Sequence, residues 1–127
     1  MMARNVPVSG TGAKLKEGDF MKVVYVSHPF TGNEETNRAA SMRITRELAE
    51  RHPEIVFINP LAVFAAAGAT GLSYEQIMAQ CLALLERCDE MILCEGWKWS
   101  KGCKMEYNHA IEREIPIKKI MEAGGDD

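Results

Sequence analysis

Apolar residues along this chain fall into two rhythms, short unbroken runs and longer stretches with a helical period. Residues 21–27, MKVVYVS, are apolar at every position from 23 to 26. That is the pattern of a strand covered on both faces of a parallel sheet. Residues 54–59, EIVFIN, and 90–94, EMILC, read the same way, and 115–120, IPIKKI, gives a fourth strand. Between the first two runs, residues 34–51 contain no Pro or Gly, and Ala40, Ile44 and Leu48 repeat every four positions, predicting an amphipathic helix. Ser73 with Gln76 three residues on is a capping-box pattern opening a second long helix, whose apolar stripe is Ile77, Cys81, Leu84, Leu85 and Cys88. A third helix is expected over 102–113. The stretch 61–68, LAVFAAAG, fits either a short helix or an ordered loop.

Strands alternating with helices imply an α/β fold with a parallel sheet and right-handed crossovers. Ligands in such sheets sit beyond the carboxyl ends of the strands. The loops there are HPFTGN after the first strand, residues 60–72 after the second, and EGWKWSKG after the third.

With 127 residues the chain has room for one core. Residues 1–20 mix Gly, Ser, Pro and charge without period and are expected to form a flexible tail ahead of a single domain over 21–127. A hydrophobic fraction of 46%, a charged fraction of 26% and a net charge of −3 describe an ordinary globular protein. They argue against a duplex nucleic-acid surface. No apolar run nears the ~18 residues that span a membrane, and the N-terminal stretch lacks a signal-peptide core, so a cytoplasmic location is expected. The four cysteines, spaced 7, 6 and 9 apart, contain no C-x-x-C pair and are read as thiols, with no metal site.

Chemistry concentrates in GWKWSKGCKMEYNHA, residues 96–110. Glu106 is either a solvated helix residue or a carboxylate aimed at a ligand. Ser100, ahead of Gly102, is either an N-cap or part of an anion site at the helix start. Trp97 and Trp99 either wall a pocket for a ring or cover the sheet edge. His28 suits a ligand or general acid, or a turn histidine bonded to backbone. Phe30 can stack on a base or pack on the core, and Asn37 and Arg38 reach the same side of the sheet. His109, three residues after Glu106, shares its helix face and can pair with it.

The order of these features resembles the nucleoside 2-deoxyribosyltransferase-like family: YVSHPFTGN after the first strand, INPL after the second, LALLERCDEMIL into the third, then SKGCKMEYNHA with its S-x-G-x-x-x-E spacing. The similarity covers roughly residues 21–120. It implies a three-layer α/β sandwich with a mostly parallel, flavodoxin- or Rossmann-like sheet of four to five strands. It further implies cleavage or transfer at the N-glycosidic bond of a 2′-deoxynucleoside or its 5′-monophosphate. Glu106 matches the nucleophile that forms a deoxyribosyl ester, and Ser100, six residues earlier, matches the serine that contacts a 5′-phosphate. A carboxylate suits a C1′ that develops oxocarbenium character. The remaining substrate-binding candidates are Ser27, His28, Pro29, Phe30, Gly32, Asn37, Cys81, Gly96, Trp97 and Gly102.

One position departs from the family. Where an aspartate eight residues before Asp89 assists the departing base, this chain has Cys81, and a thiol is a poor substitute for a carboxylic acid. Glu95 is the candidate replacement. The family's sites are often completed by a neighbouring subunit, so the resemblance implies a homo-oligomer, and its mechanism needs no cofactor. The alternatives are a non-catalytic nucleoside- or nucleotide-binding module of the same fold, and an interaction protein using the Trp97/Trp99 loop.

Overall fold

The computed structural model describes residues 21–120; the tail expected over 1–20 lies outside them. Strands β1 (Lys22–Ser27), β2 (Ile55–Ile58), β3 (Glu90–Leu93) and β4 (Ile117–Lys119) form one sheet in the order β2-β1-β3-β4. All three pairings are parallel. Among the described residues the helices are α1 (Glu34–Arg51), α2 (Pro60–Val63), α3 (Ala65–Gly68), α4 (Tyr74–Leu85) and α5 (Lys101–Glu112), with a 3-10 turn at Trp97–Trp99 before α5. Each strand was expected from its apolar run and lies within the predicted span.

The pleat of β1 sorts its side chains between two cores. Val24 and Val26, with Ile92 and Cys94, pack against Ile44 and Leu48 of α1. Tyr25, with Met91 and Leu93, packs on the other face against Met78, Cys81 and Leu85 of α4 and Cys103 and Ala110 of α5. Sheet and helices on both faces make a three-layer α/β sandwich. Both faces of β1 are covered, which is why its run is apolar throughout: Val24, Tyr25, Val26 and Ser27 are at most 1% exposed.

The ambiguous LAVFAAAG stretch forms two one-turn helices. Asn59 starts the first, its side chain accepting from Leu61 N at 3.0 Å, and Pro60 takes the first helical position, where a missing N–H costs nothing. The Asn59 amide also donates to Ser41 Oγ at 3.2 Å and so pins this segment to α1. At the other end of the sheet, Asp89 accepts from Val23 N at 2.8 Å, locking the start of β3 beside β1.

Strand order reverses at β1. The chain leaves β1 for α1 on one face and leaves β3 for α5 on the other, so a crevice opens between the carboxyl ends of β1 and β3. Among the described residues no helix is long and apolar enough to cross a membrane.

The expected capping box is present. Ser73 Oγ accepts from Gln76 N at 3.1 Å, and Gln76 Oε1 accepts from Ser73 N at 2.8 Å. Ser73→Ala should cost about 1 kcal/mol, lowering the melting temperature by about 4 °C, and Ser73→Asp should restore most of it. Thermal denaturation of the two variants checks this; an unchanged melting temperature in Ser73→Ala would show that the cap contributes little.

Candidate functional site

Helix α5 buries a stripe of Cys103, Glu106 and Ala110. Glu106 is therefore not a solvated helix residue: it is 6% exposed and faces the underside of β1. Tyr25 and Ser27, two apart on the strand and so on one face, both donate to it. Tyr25 Oη reaches Glu106 Oε2 at 2.6 Å, and Ser27 Oγ reaches Oε1 at 2.6 Å. Both lengths are those of hydroxyls bonded to a carboxylate. Burial raises the Glu106 pKa above its ordinary 4.5, and the bonds from Ser27 and Tyr25 work against that rise. Burial, reinforced by the Glu106 charge, holds the Tyr25 phenol well above its usual range, so it stays a donor.

Two thiols flank this group. Burial pushes Cys81 and Cys103 each up to about 11, so both are neutral near pH 7 and poor nucleophiles. Ser100 caps α5, its Oγ accepting from Cys103 N at 3.1 Å. The N-cap reading is thus correct for Ser100, and the same residue also lines a cavity.

That cavity has a volume of about 500 Å³. Glu106, Cys81, Cys103 and Ser100 bring polar groups to its lining, and Phe30, Leu61, Phe64 and Ile77 bring apolar ones. Gly102 packs beside Tyr74 and Met78: a Cβ there would make ordinary contact, 3.4 Å from Tyr74 Oη and 3.5 Å from Met78 Sδ. A second, outer groove of about 1150 Å³ adjoins the cavity, lined by Asn37, Arg43, Glu95, Trp99 and Lys101 among others. His28, Thr31, Tyr74 and Ser100 border both spaces.

The loop after β1 forms one wall. His28 donates from Nδ1 to Pro29 O at 2.7 Å, the turn-histidine arrangement, while its ring borders both spaces. Phe30 lines the cavity beneath the Arg38 guanidinium, 5.0 Å from the ring centre. Asn37 Nδ2 donates to Phe30 O at 2.9 Å and holds the loop's path. Gly32 takes φ +103°, a turn that favours glycine, and its N–H reaches Glu34 Oε2 at 3.2 Å. Across the crevice Gly96 takes φ +91°, with Pro29 3.4 Å from where its Cβ would stand, so the exit from β3 passes close to the β1 loop.

Three sequence expectations come out differently. Trp97 lies on Tyr107, ring centres 4.7 Å apart, with Lys119 5.3 Å above it; it borders neither space, because its ring completes the core. Trp99 is the tryptophan at the groove. Glu95 lines the outer groove and not the cavity around Glu106, since it leaves β3 one residue beyond the buried Cys94 and is exposed. His109 bonds to Glu86 Oε2 at 2.6 Å, not to Glu106, because Glu106 turns inward while His109 faces the end of α4. Sequence reasoning missed Tyr25 and Tyr74 as site residues. Two-residue alternation with Ser27 was the available signal for Tyr25.

A carboxyl whose native pKa lies above its unfolded value of about 4.3 binds more protons folded than unfolded. Stability therefore falls as pH climbs from that value through the native pKa. Glu106→Gln removes this loss, and its amide can exchange bonds with the two hydroxyls. Urea denaturation from about pH 4 to pH 7 should show the variant gaining on wild type as pH rises. A pH-independent difference would contradict the buried, raised carboxyl.

A search of curated proteins finds no match. The sequence model of a family described as Domain of unknown function (DUF4406) matches residues 22–119, from the first residue of β1 to the last of β4. The site and the whole sheet lie inside that match, and the chain belongs to this family.

Proposed function

We propose that this protein cleaves or transfers at the N-glycosidic bond of a 2′-deoxynucleoside or its 5′-monophosphate, with Glu106 as nucleophile. The observation that carries this reading is a single buried carboxylate on the wall of a cavity, oriented by two hydroxyl donors at 2.6 Å. In the ionised state an oxygen of Glu106 attacks C1′. The C1′–O bond forms as the C1′–N bond breaks, and the electron pair leaves with the base, which takes up a proton from water. Water or a second base then attacks C1′ and releases the carboxylate. Tyr25 and Ser27 keep the carboxylate aimed and can strengthen or relax their bonds as its charge is consumed and restored.

The aromatic side chains of the cavity lining, Phe30 and Phe64, suit a base. Ser100, at the start of α5, suits a 5′-phosphate. Resemblance to the nucleoside 2-deoxyribosyltransferase-like family supports the same assignment, and with it a homo-oligomer working on a small soluble substrate in the cytoplasm.

A second reading, a binding module without turnover, is favoured by Cys81. Its neutral thiol, with a pKa pushed up to about 11, stands where a proton donor to the departing base is wanted. Chromatography of base released from a panel of deoxynucleosides and 5′-monophosphates separates the two. Wild type should release base slowly and Glu106→Ala should release none. Cys81→Asp should raise the rate about a hundredfold, the low end of what a positioned acid contributes. Saturable binding that yields no base with either wild type or Cys81→Asp would establish the binding module instead.

A further inference from the structure

The cavity around Glu106 does not end at the nucleoside. Beyond Ser100 it continues into the outer groove, about 1150 Å³ against about 500 Å³ for the cavity itself. The two meet at a neck bordered by His28, Thr31, Tyr74 and Ser100. Tyr74 is fixed there on two sides. Its hydroxyl lies against Gly102, and the Lys101 ammonium stands 5.2 Å from its ring centre. A ligand with its reacting sugar at Glu106 and its 5′-phosphate at Ser100 therefore directs whatever follows the phosphate into the groove.

The groove's lining says what that continuation is. Arg43 and Lys101 set two cationic side chains against the one carboxylate of Glu95. Asn37, Thr31 and Thr36 supply hydrogen-bonding groups. Trp99 stands at its edge and is 89% exposed, the most exposed of the large apolar side chains among the described residues. Its neighbour Trp97 is spent on Tyr107, so the core has no need of a second indole. A flat aromatic surface beside cationic side chains, next to a nucleotide-sized cavity, is the arrangement on which a further base stacks in single-stranded nucleic-acid sites. A chain of extra phosphates would use the cations but leave the indole without a role.

We infer that the groove binds a second nucleoside joined through the 5′-phosphate, so that the ligand is a deoxydinucleotide or the 3′ end of a single strand, with the penultimate base on Trp99. This rests on the nucleotide reading of the Glu106 cavity. The net charge of −3 that argues against a duplex surface does not bear on one added nucleotide held in a local groove.

Trp97→Phe leaves Trp99 as the sole tryptophan and so as the fluorescent reporter of the groove. Titration of this variant with deoxydinucleotides, matching 5′-monophosphates and 5′-triphosphates is the test, alongside thermal melting with each ligand. Dinucleotides should quench Trp99 and bind about tenfold more tightly than monophosphates. In an otherwise wild-type chain, Trp99→Ala should bring dinucleotide affinity, read by melting shift, down to the monophosphate value. The inference is overturned if monophosphates bind and dinucleotides bind no better, if triphosphates outbind dinucleotides, or if the gain survives Trp99→Ala; each of these leaves the Glu106 reading standing. If no ligand shifts melting or fluorescence, both fall together.

Discussion

Burying the Glu106 carboxylate beneath the sheet requires donors, and this chain takes them from a strand laid down some 80 residues earlier. Tyr25 and Ser27 are 81 and 79 residues away in sequence and both bond at 2.6 Å. Removed from water without them, the carboxylate would cost several kcal/mol or exist only protonated. Much of the molecule follows from holding these three groups together. β1 must present alternate residues to α5, Ser100 must cap α5 where its second turn comes beneath β1, and Gly96 must turn the chain out of β3 with φ +91°. Every buried side-chain nitrogen and oxygen among the described residues has a partner, so the arrangement leaves no unmet polar group in the core.

The chemistry is poised by the same burial. Desolvation lifts Glu106 and the two thiols together; bonds from Ser27 and Tyr25 oppose the lift at Glu106, while both thiols, despite neighbouring hydroxyls, end up at about 11. The result is one ionisable acid among neutral groups, which concentrates nucleophilic character on a single side chain. Among the described residues no second acid stands beside it: Glu95 lies in the outer groove, and Cys81 holds its proton too firmly to act as one.

Much of the fold was legible because the central strands β1 and β3 are buried on both faces and so appear as unbroken apolar runs, and because Ser73 and Gln76 spell their cap locally. The site was harder. Glu106 looks like a surface residue until its phase with Cys103 and Ala110 is noticed, and its partners are fixed by tertiary pairing that no local pattern reports. Tyr25 was hidden within an apolar run to which it contributes its ring, while its hydroxyl does the site's work. Trp97 and Trp99 are two apart in a 3-10 turn, so one faces Tyr107 and the other solvent, a choice that neither helix nor strand periodicity predicts. His109 paired across to α4 because its own helix turned Glu106 the other way.

Intact-protein mass spectrometry after exposure to 2′-deoxynucleoside 5′-monophosphates addresses the central claim, that this buried carboxylate reacts at C1′. The account predicts a deoxyribosyl adduct that maps to Glu106 by peptide fragmentation and is absent from Glu106→Gln. An unchanged mass in wild type, under conditions where the same ligands raise its melting temperature, would contradict it.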